Sequence, residues 1–489
     1  MPQLPADCLD EVIEYLNDDK YSLHSCLLVN RLWCKVTVGI LWRDCNNYST
    51  SDYRTLINCL PDESKKILKE NGIIISTSHE SHPIFNYAIF CKVLSISKVH
   101  EKIFHLLENQ NNLLLEDLIN YTHIIVQEIC KMYMNQTSLK VLEYVQYSDV
   151  TYDIYPSPRN FLKNLTELKC SSNISPELLI NLTQTCHNLF LLDVIIIYHV
   201  PKELVDLITI QKNLKCFSMM IHDGPKDEIN SIPLLTMELP KTLTRFVVVG
   251  GNYNISLSFL VNFINLQELE ISFDFSECIE SFEKLQDAIF PQLQILIIKY
   301  SCPKMEFLIK FLKNNGKNLK KIHIDVNDCE SGISEDSEDS EDSEDSINSL
   351  NLTIAKYCPN IRKLSTGFSD KELETLKILF NNCQYLESIK IWCGGKFLNE
   401  KEALETVLKY SKNIYEIILQ YQFDLKFELL PSELESFFID WKKRLPQKPL
   451  SFVIIDSEFC KNRLDKNVEN MKIIETYTKL GIVKNFDYS

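Results

Sequence analysis

Apolar positions recur along this chain in two alternating rhythms. From about residue 136 onward, a short motif repeats: an apolar residue, two intervening residues, a second apolar residue, one more residue, and a third apolar position. It begins at Leu139/Leu142, Leu165/Leu168, Leu189/Leu192, Leu214/Phe217, Leu243/Phe246, Leu266/Leu269, Leu293/Leu296 and Leu319/Ile322. It resumes at Ile361/Leu364, Leu386/Ile389, Ile414/Ile417 and Leu450/Val453. Successive starts are 23 to 29 residues apart, except for one step of 42 and one of 36, the latter holding an irregular stretch around Leu434–Phe437. Between the motifs, apolar residues fall at helical spacing, as in Pro176–Cys186, Pro201–Ile210, Met305–Asn314, Lys371–Cys383 and Glu400–Tyr410. The pattern predicts an α/β fold in which each repeat is a strand, a turn and a helix. One such unit cannot close a core, so neighbours must stack and share one.

A period near 25 with L-x-x-L-x-L resembles the leucine-rich repeat. The resemblance implies a curved solenoid of about twelve repeats over residues 136–489, with a parallel sheet inside and helices outside. A compact α/β domain is the alternative. The ninth position of the motif, usually Asn or Cys, is Asn in two repeats (Asn173, Asn327) and Tyr147, Ile197, His222, Asp274 or Gln422 elsewhere. The usual asparagine ladder is therefore expected to be mostly missing.

The first 46 residues follow a helical rhythm. Cys8, Leu9, Val12, Ile13 and Leu16 form one stripe, started by Pro5 and ended by Asn17-Asp18-Asp19. A second helix is predicted from about Tyr21 to Asn30, and a third carries Leu32, Trp33, Val36, Ile40, Leu41 and Trp42. Such a unit either docks a partner or caps the next domain. Leu4-Pro5-Ala6-Asp7-Cys8-Leu9, Ser25-Cys26-Leu27-Leu28-Val29-Asn30-Arg31-Leu32-Trp33 and Leu41-Trp42 together resemble an F-box. That resemblance implies binding to the Skp adaptor of a cullin-based ubiquitin ligase through Leu4, Pro5, Leu9 and Val12, with Leu32 and Trp33 sharing or supporting the contact. With the repeats, it places the chain near the F-box/leucine-rich-repeat family. Residues 47–135 match neither motif; Phe85–Val99 and Leu113–Met134 read as helices bridging the two parts.

Charge sharpens this picture. The net charge of −16 disfavours nucleic acid and anionic membranes. Half of it sits in Ser334–Ser346, SEDSEDSEDSEDS, which has eight acids and no base. An insertion over 331–346 is expected to be disordered on the rim of the repeats. It is either a tolerated solvated loop or a regulatory one, phosphorylated at Ser334, Ser337, Ser340, Ser343 and Ser346. Hydrophobic residues make up 45%, enough for a large core. No apolar run approaches the length of a membrane span, and the start of the chain lacks a secretory signal pattern. A cytoplasmic or nuclear location is expected, with reduced cysteines and unused N-x-S/T sequons at Asn164, Asn181 and Asn351.

Strand side chains alternate, so positions three, five and seven of each motif face the concave side. There the chain places Arg245, Lys299, Lys321, His323, Lys363, Lys390 and Trp392 among acids that include Glu268, Glu270, Asp325 and Glu416. This face is the expected substrate surface, preferring acidic or phosphorylated segments, with Trp392 as anchor; the other reading is a solvated face of mixed charge. No phosphate-binding or nucleophile-elbow motif occurs. His79/His82 and His100/His105 are not spaced as a zinc-binding H-E-x-x-H. No catalysis, metal or cofactor is expected. Two functions fit: a substrate receptor of a Skp–cullin–F-box ubiquitin ligase, or a repeat scaffold outside any ligase.

Overall fold

The structure is a computed structural model that describes residues 5–75, 83–109, 113–136, 138–145, 152, 161–197, 199–222, 232–250, 256–273, 282–325, 340–421, 425, 428–445, 448–455 and 460–488. It divides into two compact units, residues 1–242 and 243–489.

The first unit opens with three helices, α1 (Ala6–Glu14), α2 (Lys20–Leu27) and α3 (Arg31–Leu41), followed by α4 (Thr50–Asn58) and α5 (Asp62–Glu70). Then come β1 (Val93–Ser95), α6 (Ile96–Glu108), α7 (Leu115–Gln136), β2 (Val141–Tyr144), β3 (Glu167–Ser171), α8 (Pro176–Thr185), β4 (Leu191–Ile196), α9 (Lys202–Thr209), β5 (Cys216–Ile221) and α10 (Ile232–Met237). Strands β1 to β5 pair in chain order, each parallel to the next.

The second unit holds β6 (Arg245–Gly250), β7 (Glu268–Phe273), β8 (Ile295–Tyr300), α11 (Met305–Asn315), β9 (Lys321–Ile324), α12 (Ser340–Tyr357), β10 (Lys363–Thr366) and α13 (Leu373–Asn382). It closes with β11 (Ser388–Cys393), α14 (Glu400–Tyr410), β12 (Glu416–Tyr421), α15 (Pro431–Lys442), β13 (Leu450–Ile455), α16 (Val468–Lys479) and β14 (Val483–Tyr488). These strands also pair in order and all parallel. Parallel strands need a crossover, and helices supply most of them. Between β6 and β7 a 3-10 turn, Ser258–Asn262, takes the helix's place.

The architecture is α/β, a three-helix start followed by leucine-rich-repeat units. The core of the second unit includes the row of fourth-position residues Leu269, Leu296, Ile322, Leu364, Ile389, Ile417 and Phe452, in mutual register and buried. Each such side chain contributes about 1.5–3 kcal/mol by leaving water.

Several expectations shift. The strand series begins earlier than the motif does, because the stretch from Phe85, read as helix, holds β1 ahead of α6. Three residues are too few to show a period of two. The stretch around Leu434 is helix α15, not an irregular strand unit. In β13 the register places Phe452 in the core row, so the pair Leu450/Val453 was out of phase, and a register irregularity at Leu450/Ser451 accompanies it. The acidic insertion is not structureless to its end. Helix α12 starts at Ser340, so Ser340, Ser343 and Ser346 fall on helix. Ser334 and Ser337 lie outside the described residues.

Candidate binding surfaces

The three N-terminal helices close a small core of their own. Leu9, Ile13, Leu23 and Ile40 are buried together, with Leu16, Leu32, Trp33, Val36 and Leu41 packed against them. Local chemistry fixes the turns. Asp19 caps α2 by accepting from the Ser22 N–H (3.1 Å) and hydroxyl (2.6 Å). Asn30 caps α3, its side-chain oxygen accepting from the Leu32 and Trp33 N–H groups at 2.9 and 3.0 Å. Arg43 pairs with Glu14 across the unit. The Trp42 ring packs at a tilt 4.3 Å from Tyr87 and 5.0 Å from Tyr48, tying the end of α3 to the segments that precede β1 and α4.

This geometry sorts the adaptor candidates. Leu4 lies outside the described residues, Pro5 is exposed, and Val12 is 52% exposed. Leu9 is corrected: it is only 1% exposed, because the residue four positions before Ile13 faces α2 and α3 rather than solvent. Leu32 and Trp33 are half-buried and support the core. What the sequence reading missed is the other side of these helices. Cys8, Val12 and Tyr15 stand at i, i+4 and i+7 of α1 and its C-cap, and all are exposed, Tyr15 by 92%. Tyr21 (90%) and Leu28 (88%) stand seven apart on α2 and its C-cap. The helical spacing from Val12 was the available signal.

On the second unit, the predicted parity holds. Arg245, Glu268, Ile295, Lys321, Lys363, Ser388 and Glu416 form one cross-strand row. Glu270, Ile297, His323, Ser365 and Lys390 form the next. The face is a mosaic of ion pairs rather than a basic patch. Arg245 meets Glu268 at 3.0 Å, and Lys299 meets Glu270 at 2.6 Å. His323 meets Asp325 at 3.2 Å, and Lys363 reaches over the small Ser388 to Glu416 at 3.7 Å. Burial lowers the Lys390 ammonium, with nearby Asp325 acting against it and Lys299 with it. Burial pushes the Asp325 carboxyl up, yet the His323 hydrogen bond and charge, the Tyr300 N–H and Lys390 hold it below its ordinary value. Among the described residues Lys321 makes no ion pair.

Trp392 is corrected as an anchor. It sits on the expected side of β11 but is 0% exposed. Gly394 and Gly395, at φ 93° and 59°, turn the chain back, and Phe397 packs edge-on at 5.3 Å over the indole. The bridge between Ser369 and Phe397 pins that cover to the neighbouring repeat.

The missing asparagine ladder is replaced by another. Asn318, Asn360 and Asn413, each just before the first motif residue, donate to the carbonyls of Pro291, Lys317 and Gln384 in the preceding repeat, at 2.9, 2.9 and 2.7 Å. The recurring Asn-Leu/Ile pair was its signal in the sequence. Asn351 is buried, which keeps its sequon from any modifying enzyme in the folded chain. The described cysteines are free thiols, and most are buried. His105 pairs with Glu108, His100 is partly buried beside Phe104, and His79 and His82 lie outside the described residues. Among the described residues no cluster of metal-ligating side chains forms, and no helix is long and apolar enough to cross a membrane.

No protein-family model and no curated protein sequence matches this chain. Among solved structures, it is similar to the leucine-rich repeat-containing protein LegL7 from Legionella pneumophila, with 14% identity, a TM-score of 0.32, and coverage of 58% of this chain and 95% of that one. It is also similar to a chain in the crystal structure of the Rad7 and Elc1 complex in yeast, with 12% identity, a TM-score of 0.38, and coverage of 94% and 95%.

Proposed function

We propose that this chain is the substrate-recognition subunit of a Skp–cullin–F-box ubiquitin ligase, located in the cytoplasm or nucleus. Helices α1 and α2 dock the Skp adaptor, and through it a cullin, while the repeats hold a target protein. The observation that carries the reading is the exposed apolar set Val12, Tyr15, Tyr21 and Leu28 on a helical unit whose own core is already closed by Leu9, Ile13, Leu23 and Ile40. Apolar side chains left in water at helical spacing suit a partner helix. The L-P start and the Val29-Asn30-Arg31-Leu32-Trp33 segment agree with an F-box at that place. In this reading the chain makes and breaks no bond. It raises the local concentration of target lysines beside the charged ubiquitin carrier. The target lies on the strand face, where the paired charges select shape and charge pattern more than net charge.

The test is co-purification of the full chain with a Skp adaptor. The wild-type chain is expected to retain it, and Val12→Glu combined with Leu28→Glu to lose at least tenfold in affinity while thermal unfolding stays unchanged. Both substitutions are at the surface, unlike Leu9→Ala, which would open the helical core. A wild-type chain that retains no adaptor overturns the ligase reading and leaves the scaffold function.

A further inference from the structure

The edge where the strands of the second unit begin differs from their face. There the residues just before β8, β9, β10 and β11 form a rung of their own: Gln294, Lys320, Arg362 and Glu387, linked by the backbone bonds Lys320 N–H to Gln294 O (2.7 Å), Arg362 N–H to Lys320 O (2.7 Å) and Glu387 N–H to Arg362 O (2.8 Å). Lys320 and Arg362 are therefore like charges side by side on one rung, an arrangement that costs stability unless an anion relieves it. The Lys320 ammonium donates to the Gln294 side-chain oxygen at 2.7 Å, a neutral partner that leaves its charge uncompensated. Arg362 gives one N–H group to Glu387 at 3.2 Å, at the far end of the rung.

Gln294, Lys320 and Arg362 line an open groove of about 440 Å³ together with Asn318, Asn360 and Tyr385. Its walls come from four successive repeats, so it is an elongated site rather than a cup. The two asparagines use their NH₂ groups on the preceding repeats. Tyr385, 59% exposed, offers a flat apolar contact at one end. Amides, two cations and an aromatic ring match a peptide: backbone groups for the amides, an anionic side chain for the cations, an apolar side chain for the ring. A nucleic acid would need a longer cationic track than two residues, on a chain of net charge −16.

We propose that this groove binds an extended acidic peptide segment of a partner protein, with a carboxylate or phosphoryl group seated between Lys320 and Arg362. The proposal does not depend on the ligase reading, because the groove lies off the strand face and binding needs no adaptor. The experiment uses the full chain and fluorescence anisotropy with four labelled probes: the peptide ESEDYSEDE, its serine-phosphorylated form, a version with lysines in place of the acids, and a ten-nucleotide single-stranded DNA. The acidic peptides are expected to bind, more weakly at higher salt, and the lysine peptide not to bind. Lys320→Gln with Arg362→Gln, which gives up only the surface Arg362–Glu387 pair and the Lys320–Gln294 bond and so changes stability little, is expected to weaken binding at least tenfold while thermal unfolding stays near that of the wild type. Lys321→Gln with Lys363→Gln, matched in charge on the strand face, should change it less than twofold. Binding of neither acidic peptide, equal losses in both double variants, or DNA binding that exceeds peptide binding and depends on Lys320 and Arg362 would each overturn the proposal.

Discussion

Two regions of the second unit handle glutamates in opposite ways. On the strand face, Glu268, Glu270 and Glu416 each meet a cation in partial contact with water. In the interior of the last repeats, Glu400 is fully buried and its donors are all neutral: the Tyr421 hydroxyl, the Leu464 N–H at 3.0 Å and the Leu429 N–H at 3.2 Å. A surface pair gains little over hydration, so the face contributes specificity more than stability. A buried carboxyl that gathers three otherwise orphaned donors is costly to remove, since each donor would then lie dry and unpaired. Glu400 also joins distant parts of the chain: the start of α14, the end of β12, the segment before α15 and the turn Leu464–Lys466.

The largest effect expected comes from that difference. Glu400→Ala should destabilise the second unit by about 3–5 kcal/mol, the range for breaking a buried polar network. Trp392 and Trp441, both buried in this unit, report it as a lower urea midpoint in fluorescence. A midpoint unchanged within 0.2 M, on the order of 0.4 kcal/mol at common urea slopes, would show that water replaces the carboxylate freely.

The second effect is in pH, and its sign separates the two regions. Burial pushes the Glu400 carboxyl up to about 7, against the lowering pull of Tyr421 and the two N–H groups. The native state then holds a proton that the unfolded chain releases from its ordinary carboxyl value upward. The stability tied to Glu400 is present in full at low pH and is lost as pH rises toward and through 7, by about 3 kcal/mol in all. Asp325 on the face behaves oppositely: held below its ordinary value, it stabilises above that value and loses the contribution as pH falls. Urea titrations between pH 5 and 8 should therefore show a falling stability in the wild-type chain. Glu400→Gln should be less stable throughout, because its NH₂ group meets a donor, but flat over the same range. Parallel slopes in the two proteins would refute the assignment.

The fold was legible in the sequence wherever burial alternates strictly with exposure. The fourth-position row from Leu269 to Ile417 was visible because most of its members sit between polar or partly exposed neighbours, Leu296 beside the buried Ile297 being an exception, and because it recurs at a near-constant step outside the acidic insertion. β1 was hidden because Val93-Leu94-Ser95 is short and runs straight into the helical pattern of α6. The binding surfaces were half legible. Parity showed which side of β11 holds Trp392, but no local pattern reveals that a glycine turn folds Phe397, five residues on, over it. The same gap explains Leu9: a helical stripe tells which residues share a face, and only the neighbouring helices tell that Leu9 is inside and Val12 outside. The ion pairs of the strand face escaped notice for a related reason, since Lys363 and Glu416 are two strands apart and more than fifty residues apart in the chain.

That last pair gives the smallest expected effect and the cleanest check on the comparison. Lys363 spans Ser388 to reach Glu416 at 3.7 Å, with about half of the lysine side chain in water and the glutamate 24% exposed. Such a geometry pays side-chain entropy for a screened attraction, so a double-mutant cycle of Lys363→Ala and Glu416→Ala should return a coupling of about 0.2–1 kcal/mol that fades in 0.5 M salt. Lys321 stands directly beside Lys363 in the row, and removing it should raise the coupling slightly by relieving like-charge repulsion. A coupling above about 2 kcal/mol that resists salt would mean that the strand face is as dry as the surroundings of Glu400. The contrast between the two regions would then lie in the donors, cationic against neutral, and not in exposure to solvent.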